Sequence, residues 1–211
     1  MIKLKSLLKL RDLKWTDINT PKAKHIKRLS EAPSVIKNPV IPKVSPPEND
    51  SRFVRKEIDY IIDIHKNRKF NKEQVDLYDT KMIKAYKNFL ADNNLDYDLD
   101  YLDKIVNDSN IHIMKLKYKY NRPRPKQIAE FYGIPFNPYK LKTSKTPSYP
   151  SGHASQSYLL SEILSRNFPK HSVELRELAK NITLSRIKGG VHFPSDSAYG
   201  IKVAQAMLEV I

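Results

Sequence analysis

Cysteine is absent from this chain of 211 residues. Without a thiol there can be no disulfide framework, no cysteine nucleophile and no zinc site built on cysteine, and the redox compartment stays open. Any catalytic mechanism must therefore depend on other side chains. The length suits one compact domain with an appended arm, and two full catalytic domains would not fit.

Long apolar runs are also missing. A charged residue interrupts every short apolar run of the N-terminal sequence Met-Ile-Lys-Leu-Lys-Ser-Leu-Leu-Lys-Leu-Arg-Asp, so no signal peptide is predicted. No later stretch approaches the roughly 20 apolar residues that a transmembrane helix needs. We therefore expect a soluble protein that is cytoplasmic or virion-associated.

A metal-binding loop is the third absence. The acidic run over residues 96–103 resembles the start of a calcium loop, but Tyr101 stands where an EF-hand needs glycine and Asn107 where it needs glutamate. These carboxylates are interpreted as solvated groups at a helix start. Four histidines outside the motifs described below are interpreted as surface or core residues: His25, His65, His112 and His171.

No alternation of apolar and polar residues extends far enough to predict a β-strand, so the predicted fold class is all-α. Apolar residues at helical spacing predict six helices instead. They are expected at about residues 54–65, 75–89, 97–106, 152–167, 172–187 and 195–210.

Prolines mark two segments that lack a helical period. Residues 20–49 contain six prolines and are predicted to be extended, so we divide the chain into a basic, Pro-rich arm (1–50) and a catalytic domain (51–211). The sequence leaves open whether this arm is disordered, packs on the domain or forms a homo-oligomer with a neighbouring subunit. Residues 121–150 are predicted to form a long loop, and such loops are usually functional.

The charge is strongly positive. A formal net charge of +15 and a pI near 9.7 give the surface an attraction for anions. Nucleic acids and small phosphorylated molecules both fit that description, and charge alone does not choose between them.

Residues 185–196 form the first of three segments suited to phosphoryl transfer. Gly189 and Gly190 break a helix just before His192, and Asp196 follows at the start of the next helix. A carboxylate there can hold the Nδ1 proton of the imidazole and leave Nε2 as an oriented nucleophile. Taken alone, such a pair is more often a surface or capping interaction.

The second segment, Tyr149-Pro-Ser-Gly-His153, opens a helix. Ser151 is a natural N-cap, and the Gly152 amide lies at the positive helix end, where phosphate oxygens bind readily. Beside a bound anion, His153 would favour its cationic form and could protonate a leaving group. An ordinary cap with an exposed histidine explains this segment equally well on its own.

The third segment holds two cations. Lys117 and Arg124 bracket six residues, and Pro125 follows. A guanidinium can clasp two phosphate oxygens while a lysine adds a point charge. In so basic a chain a solvated surface pair is the ordinary explanation.

Together and in order, the segments read Lys-x6-Arg-Pro, Pro-Ser-Gly-His and Ser-Arg-x5-His-x3-Asp. The sequence thereby resembles the type 2 phosphatidic acid phosphatase (PAP2) and vanadium haloperoxidase superfamily at every fixed position. Within the superfamily, its motifs are similar to those of soluble bacterial class A acid phosphatases. The resemblance runs from about residue 115 to 200 and implies a helical bundle of the PAP2/haloperoxidase type.

The resemblance also implies roles. His192 would attack phosphorus, Asp196 would orient it, and His153 would act as general acid and then as the base that activates water. The implied phosphate ligands are Lys117, Arg124, Ser151, Gly152 and Arg186. No metal or other cofactor is implied, and vanadate is expected to bind as a phosphate mimic.

One ambiguity is internal to the chain. Lys115, six spacers, Arg122 and Pro123 also satisfy the first pattern. The run Lys117-Tyr-Lys-Tyr-Asn-Arg-Pro-Arg-Pro resembles the class A acid phosphatase version, which favours Lys117 and Arg124 as the ligands. Arg122 and Lys115 are then expected at the mouth of the site.

The leading functional hypothesis is a phosphoric monoester hydrolase that acts without metal on small soluble substrates through phosphohistidine. A vanadate-dependent haloperoxidase is an alternative, although the resemblance implies that those enzymes are much longer chains than this one. A lipid or pyrophosphate phosphatase at a membrane surface is another, because residues 190–196 resemble integral members of the superfamily. From a different class, the charge could indicate a nucleic-acid-binding or virion-associated interaction protein.

Overall fold

A computed structural model of the chain describes residues 9–67 and 71–211. The predicted lack of a signal peptide falls partly on residues 1–8, which lie outside the described residues. Within the described ranges the regular structure is helical, with no strand, so the all-α fold class is confirmed. The α-helices are α1 Ala23–Leu29, α2 Arg52–Lys66, α3 Lys72–Thr80, α4 Met82–Asp92, α5 Leu99–Tyr120, α6 Pro125–Phe131, α7 Gly152–Asn167, α8 Ser172–Lys188 and α9 Pro194–Leu208.

Helix α7 is the centre of the bundle, since it packs against α5, α8 and α9. Leu159, Leu160 and Leu164 of α7 are fully buried in the main core. Gly200 of α9 allows the closest approach, because a Cβ atom there would lie 2.7 Å from the carbonyl oxygen of Ser151. The N-terminus of α7 is thereby fixed beside the first turns of α9.

The four predicted helices at 54–65, 152–167, 172–187 and 195–210 are confirmed to within a few residues. The helix predicted at 75–89 is two helices, since the backbone of Lys81 departs from helical geometry (φ −134°, ψ 36°) and separates α3 from α4. The helix predicted at 97–106 is wrong in length, because α5 continues to Tyr120. The predicted loop at 121–150 contains α6, which begins at Pro125, a proline in the first helical position.

The described part of the Pro-rich arm packs on the helices. Contrary to the expectation of an extended segment, residues 23–29 form α1, which lies against α5. Farther along, Asp108 of α5 accepts hydrogen bonds from the backbone N–H groups of Ser34, Val35 and Ile36, at 2.8, 2.5 and 3.1 Å. The Ile36 side chain is fully buried in the main core.

The arm also contacts the helical bundle at Pro42 and Val44. The Tyr199 hydroxyl donates to the carbonyl of Pro42 at 2.8 Å, and the Tyr149 hydroxyl donates to that of Val44 at 2.9 Å. The two tyrosine rings stack 4.5 Å apart. Across the described ranges, no helix combines the length and the apolar character that crossing a membrane would require.

Candidate active site

His192 lies on the short connection between helices α8 and α9. Helix α8 ends at Lys188, and Gly190 turns the chain with a φ of +74°. A Cβ atom at Gly190 would lie 2.4 Å from the ring of Phe136, so both the backbone and the space require glycine. Helix α9 begins at Pro194, which leaves His192 on a short, buried link.

Asp196 holds this histidine in one orientation. Its Oδ2 atom lies 3.0 Å from His192 Nδ1 and also accepts the Phe193 backbone N–H at 3.0 Å. Because a carboxylate only accepts, the proton between them belongs to Nδ1. The Nε2 atom of His192 therefore presents its lone pair, and the guanidinium of Arg124 approaches it at 3.2 Å.

The electrostatics keep Asp196 charged and His192 neutral. Although burial opposes its ionisation, the charge of Arg122 and the hydrogen bond from His192 hold the pKa of Asp196 well below its usual range. Burial, followed by the charge of Arg124, holds the pKa of His192 well below its usual range. The pair is thus set up as a neutral imidazole oriented by a carboxylate, which is the arrangement that a nucleophile needs.

Arg124 and Lys117 supply two buried cations beside His192. Arg124 donates to the carbonyl of Thr146 at 2.9 Å and to that of Val191 at 2.7 Å. Lys117 donates to the carbonyl of Pro147 at 2.7 Å. Burial lowers the pKa of Arg124 to about 9 and holds the pKa of Lys117 well below its usual range. No carboxylate forms an ion pair with either cation among the described residues, so both favour an incoming anion.

Arg186 supplies the third cation, and Asp79 of α3 positions it. Arg186 Nη1 donates to Asp79 Oδ1 at 2.8 Å, and Nη2 donates to the Thr143 hydroxyl at 2.9 Å. The Thr143 hydroxyl and the Lys142 backbone N–H also donate to Asp79. The buried Nε atom of Arg186 has no hydrogen-bond partner among the described residues.

The start of α7 adds backbone donors. The Ser151 side chain caps the helix by accepting the Ala154 N–H. Among the described residues the N–H groups of Gly152 and His153 have no acceptor, as first-turn amides have none within a helix. His153 Nε2 donates to the carbonyl of Asp79 at 3.1 Å. Burial, and next the charge of Arg186, lower the pKa of His153 to about 3.

A cavity of about 580 Å³ collects most of the predicted residues. Its walls include Lys117, Arg124, Gly152, His153, Arg186 and His192. Asp196 lies behind His192, and Ser151 is fully buried beneath the helix end, so neither lines the cavity. The structure therefore brings the three segments together around one space large enough for a small molecule.

Arg122 and Lys115 do not lie at the mouth of the cavity, which corrects the sequence-based expectation. Arg122 is 1% exposed, and its guanidinium donates to Asp196 at 2.6 Å and to Glu57 at 3.4 Å. Two buried carboxylates thus draw it behind the His192–Asp196 pair. Lys115 is exposed and lies outside the cavity wall. Of the two overlapping Lys-x6-Arg patterns, the one ending at Arg124 reaches the cavity.

Several residues of the site carried no sequence signal. Asp79 lies in an amphipathic helix without a motif, far from Arg186 in sequence. Glu57 accepts the Ser195 N–H at 2.7 Å and pairs with Arg122, and the Ser148 hydroxyl donates a very short hydrogen bond to Asp196. Their only available signal was a polar residue at a buried position of a helix or loop. Within the part of the chain that the structure describes, no cluster of three or more His, Asp or Glu residues could hold a metal ion.

The sequence matches a known family, and the fold is similar to solved structures. The model of the PAP2 superfamily matches residues 105–211. No curated protein sequence matches the chain. Among solved structures, the chain is similar to a bacterial vanadium-dependent iodoperoxidase (19% identity, TM-score 0.59, covering 83% of this chain and 52% of that one). It is also similar to the holo form of a bacterial vanadium-dependent chloroperoxidase (18% identity, TM-score 0.62, covering 87% and 53%).

The chain therefore spans about half the length of these two peroxidases, and at such identities the likeness shows the fold alone. A transmembrane PAP2-type phosphatidylglycerolphosphate phosphatase from Bacillus subtilis matches at 18% identity over 99% of this chain and 94% of its own, with a TM-score of 0.42.

Proposed function

This chain belongs to the PAP2 superfamily, and from that membership we propose that it is a phosphatase that hydrolyses phosphomonoesters through a phosphohistidine on His192. One observation carries the proposal. The Nε2 atom of a neutral His192, fixed by Asp196, faces a cavity whose wall holds three buried cations. Nucleophile and charge stabilisation are thus aimed at the same space.

The first chemical step forms the bond between His192 Nε2 and phosphorus. The substrate's phosphate oxygens bind to Lys117, Arg124 and Arg186, which neutralise the charge that spreads over them in the transition state. As the phosphorus–oxygen bond to the leaving group breaks, its electron pair remains on that oxygen. His153 takes up the proton that the singly protonated phosphate group of the substrate brings and donates it to the departing oxygen.

The second step regenerates the enzyme. His153, now neutral, takes a proton from a water molecule, whose oxygen attacks phosphorus. The bond between phosphorus and His192 Nε2 breaks, its electron pair returns to the imidazole, and inorganic phosphate leaves. Asp196 keeps Nδ1 protonated through both steps, so that Nε2 remains the reacting nitrogen.

The same residues fit vanadate. Arg186 has a buried Nε atom without a partner among the described residues, and the amides of Gly152 and His153 are unbound there, so the site offers more donors than its own acceptors use. Lys117, Arg124, Arg186 and Gly152 would hold the oxyanion. When bound, vanadate would act as a mimic of the phosphate group during its transfer. We expect it to compete with phosphate substrates.

The experiment is phosphate release from an aryl phosphate, with and without EDTA. We expect His192→Ala to lose at least about a thousandfold in kcat, in line with the loss of a nucleophile, while EDTA leaves the wild-type rate unchanged. His171→Gln is the matched control, since His171 lies outside the cavity and contacts Phe89. Retained turnover by His192→Ala would overturn the proposal, and vanadate-supported halide oxidation in the absence of phosphatase activity would replace it.

A further inference from the structure

The cavity holds more positive charge than one phosphate needs. Beyond Lys117, Arg124 and Arg186, its wall includes five further lysines. We call these five the lysine rim: Lys22, Lys24, Lys27, Lys142 and Lys145. All five are exposed, so they lie at the opening of the cavity. We call the three buried cations beside His192 the cradle: Lys117, Arg124 and Arg186.

No carboxylate of the described residues neutralises the lysine rim. Two carboxylates share the cavity wall, and each already has a partner: Glu31 pairs with Arg28 at 2.6 Å, and Asp79 pairs with Arg186 at 2.8 Å. No lysine of the rim forms an ion pair within the described ranges. Like charges placed together without counter-charges repel one another, and a bound anion removes that cost.

Three lysines of the rim belong to the Pro-rich arm, and the arm is held in place next to them. The backbone donors of residues 34–36 bind Asp108, and Arg28 donates to Asn107 at 2.7 Å. These contacts join the C-terminal end of α1 and the residues that follow it to helix α5. The arm therefore fixes positive charge on one side of the opening, while Lys142 and Lys145 provide it from the loop before α7.

The cavity wall is partly apolar. Met82, Ile113 and Met114 are buried and line the cavity, and Ile83 and Val106 line it at intermediate exposure. Apolar side chains favour the carbon body of a ligand. The cavity wall therefore combines buried cations, apolar side chains and exposed lysines.

We propose that the substrate's leaving group carries a further phosphate, which binds the lysine rim while the reacting phosphate occupies the cradle beside His192. This inference rests on the proposed phosphatase function. The cavity volume of about 580 Å³ fits the range of roughly 300–1,000 Å³ typical of sites for whole small molecules. The substrate class is an organic bisphosphate or diphosphate, and a compound with a single phosphate uses the cradle alone.

The test compares substrates with the same carbon body. The specificity constant kcat/KM is measured for fructose 6-phosphate and fructose 1,6-bisphosphate. Inorganic pyrophosphate is assayed as well, as a diphosphate without a carbon body. Wild-type protein is expected to favour the bisphosphate. The variant Lys24→Gln/Lys27→Gln/Lys145→Gln should reduce the bisphosphate-to-monophosphate ratio by roughly tenfold, the sum of three exposed charge interactions.

The matched control is Lys56→Gln/Lys170→Gln/Lys202→Gln, which removes the same charge from exposed positions outside the cavity. It should leave the substrate ratio unchanged. A wild-type ratio near one, or equal reductions by the two triple variants, would overturn the inference. Hydrolysis of an aryl phosphate that depends on His192 keeps the proposed function standing in that case, so the two failures are distinguishable.

Discussion

Arg122 and His192 share one carboxylate: the guanidinium donates to Asp196 Oδ1 at 2.6 Å, and the imidazole lies 3.0 Å from Oδ2. Arg122 thus lies behind His192, whereas Arg124, two residues later, lines the cavity. Glu57 closes the arrangement, because it binds both Arg122 and the backbone N–H of Ser195 at the start of α9. The orientation of His192 therefore depends on α2 as well as on its own segment.

Removing the Arg122 side chain should destabilise the protein strongly. Arg122→Met leaves Glu57 and Asp196 buried without their cation, and breaking a buried ion pair from one side costs about 3–5 kcal/mol. The free energy of unfolding from urea titration measures this. The double variant Arg122→Met/Glu57→Gln should regain part of the loss, because one unpaired charge is gone. Two losses that simply add would contradict the described pairing.

Replacing Asp108 should weaken the packing of the Pro-rich arm more than it affects the active site. Although burial alone would raise its pKa, three backbone N–H donors lower the pKa of Asp108, so the carboxylate is bound while charged. Asp108→Ala strands those donors and should cost at least about 2 kcal/mol. Limited proteolysis should then cleave within residues 20–50. The control Asp103→Ala removes an exposed ion pair with Lys87 and should change the free energy of unfolding by less than about 1 kcal/mol.

Acid should destabilise the fold through His153. The pKa of His153 falls from 6.5 to about 3 on folding, so between these pH values the unfolded chain binds more protons than the folded one. The stability contribution is therefore complete above pH 6.5 and is lost progressively as the pH falls towards 3. Urea titrations at pH 7 and pH 5 should show a smaller loss for His153→Gln than for wild type. Identical losses would contradict the lowered pKa.

The activity should be highest on the acid side of neutrality. Because the pKa of His153 is about 3 in the free protein, the proton for the leaving group must enter with the substrate. A phosphate monoester loses its second proton at about pH 6. The specificity constant kcat/KM should therefore decline as the pH rises above about 6. A profile that stays flat up to pH 9 would show that His153 is not charged by the substrate's proton.

The sequence predicts the helical fold because apolar spacing and helix-breaking residues act locally. The resemblance of the three motifs to those of the PAP2 superfamily also predicts which segments meet. Two features needed the structure. Asp79 reaches Arg186 through packing of α3 against α8, and no local pattern records that contact. The helix predicted at 97–106 leaves Asp108 outside it, yet Asp108 lies within α5 and is buried because it binds the arm.

The choice between the overlapping Lys-x6-Arg patterns also needed the structure. Lys117 follows Ile113 by four residues and Met114 by three, so helical spacing places it on the same buried face. Lys115 falls on the exposed side. Helical spacing alone does not separate the two lysines, because Lys115 follows the buried Ile111 by four residues just as Lys117 follows Ile113.

The central claim is the covalent bond to His192, and intact-protein mass spectrometry tests it most directly. The variant His153→Ala should be phosphorylated by an aryl phosphate, whose leaving group needs little protonation, but should lose the phosphoryl group slowly because no base activates water. Rapid mixing followed by an alkaline quench should therefore show the added mass of one phosphoryl group, mapped to His192 and absent from His153→Ala/His192→Ala. An unmodified His192 during turnover, or the same modification in the double variant, would contradict the account.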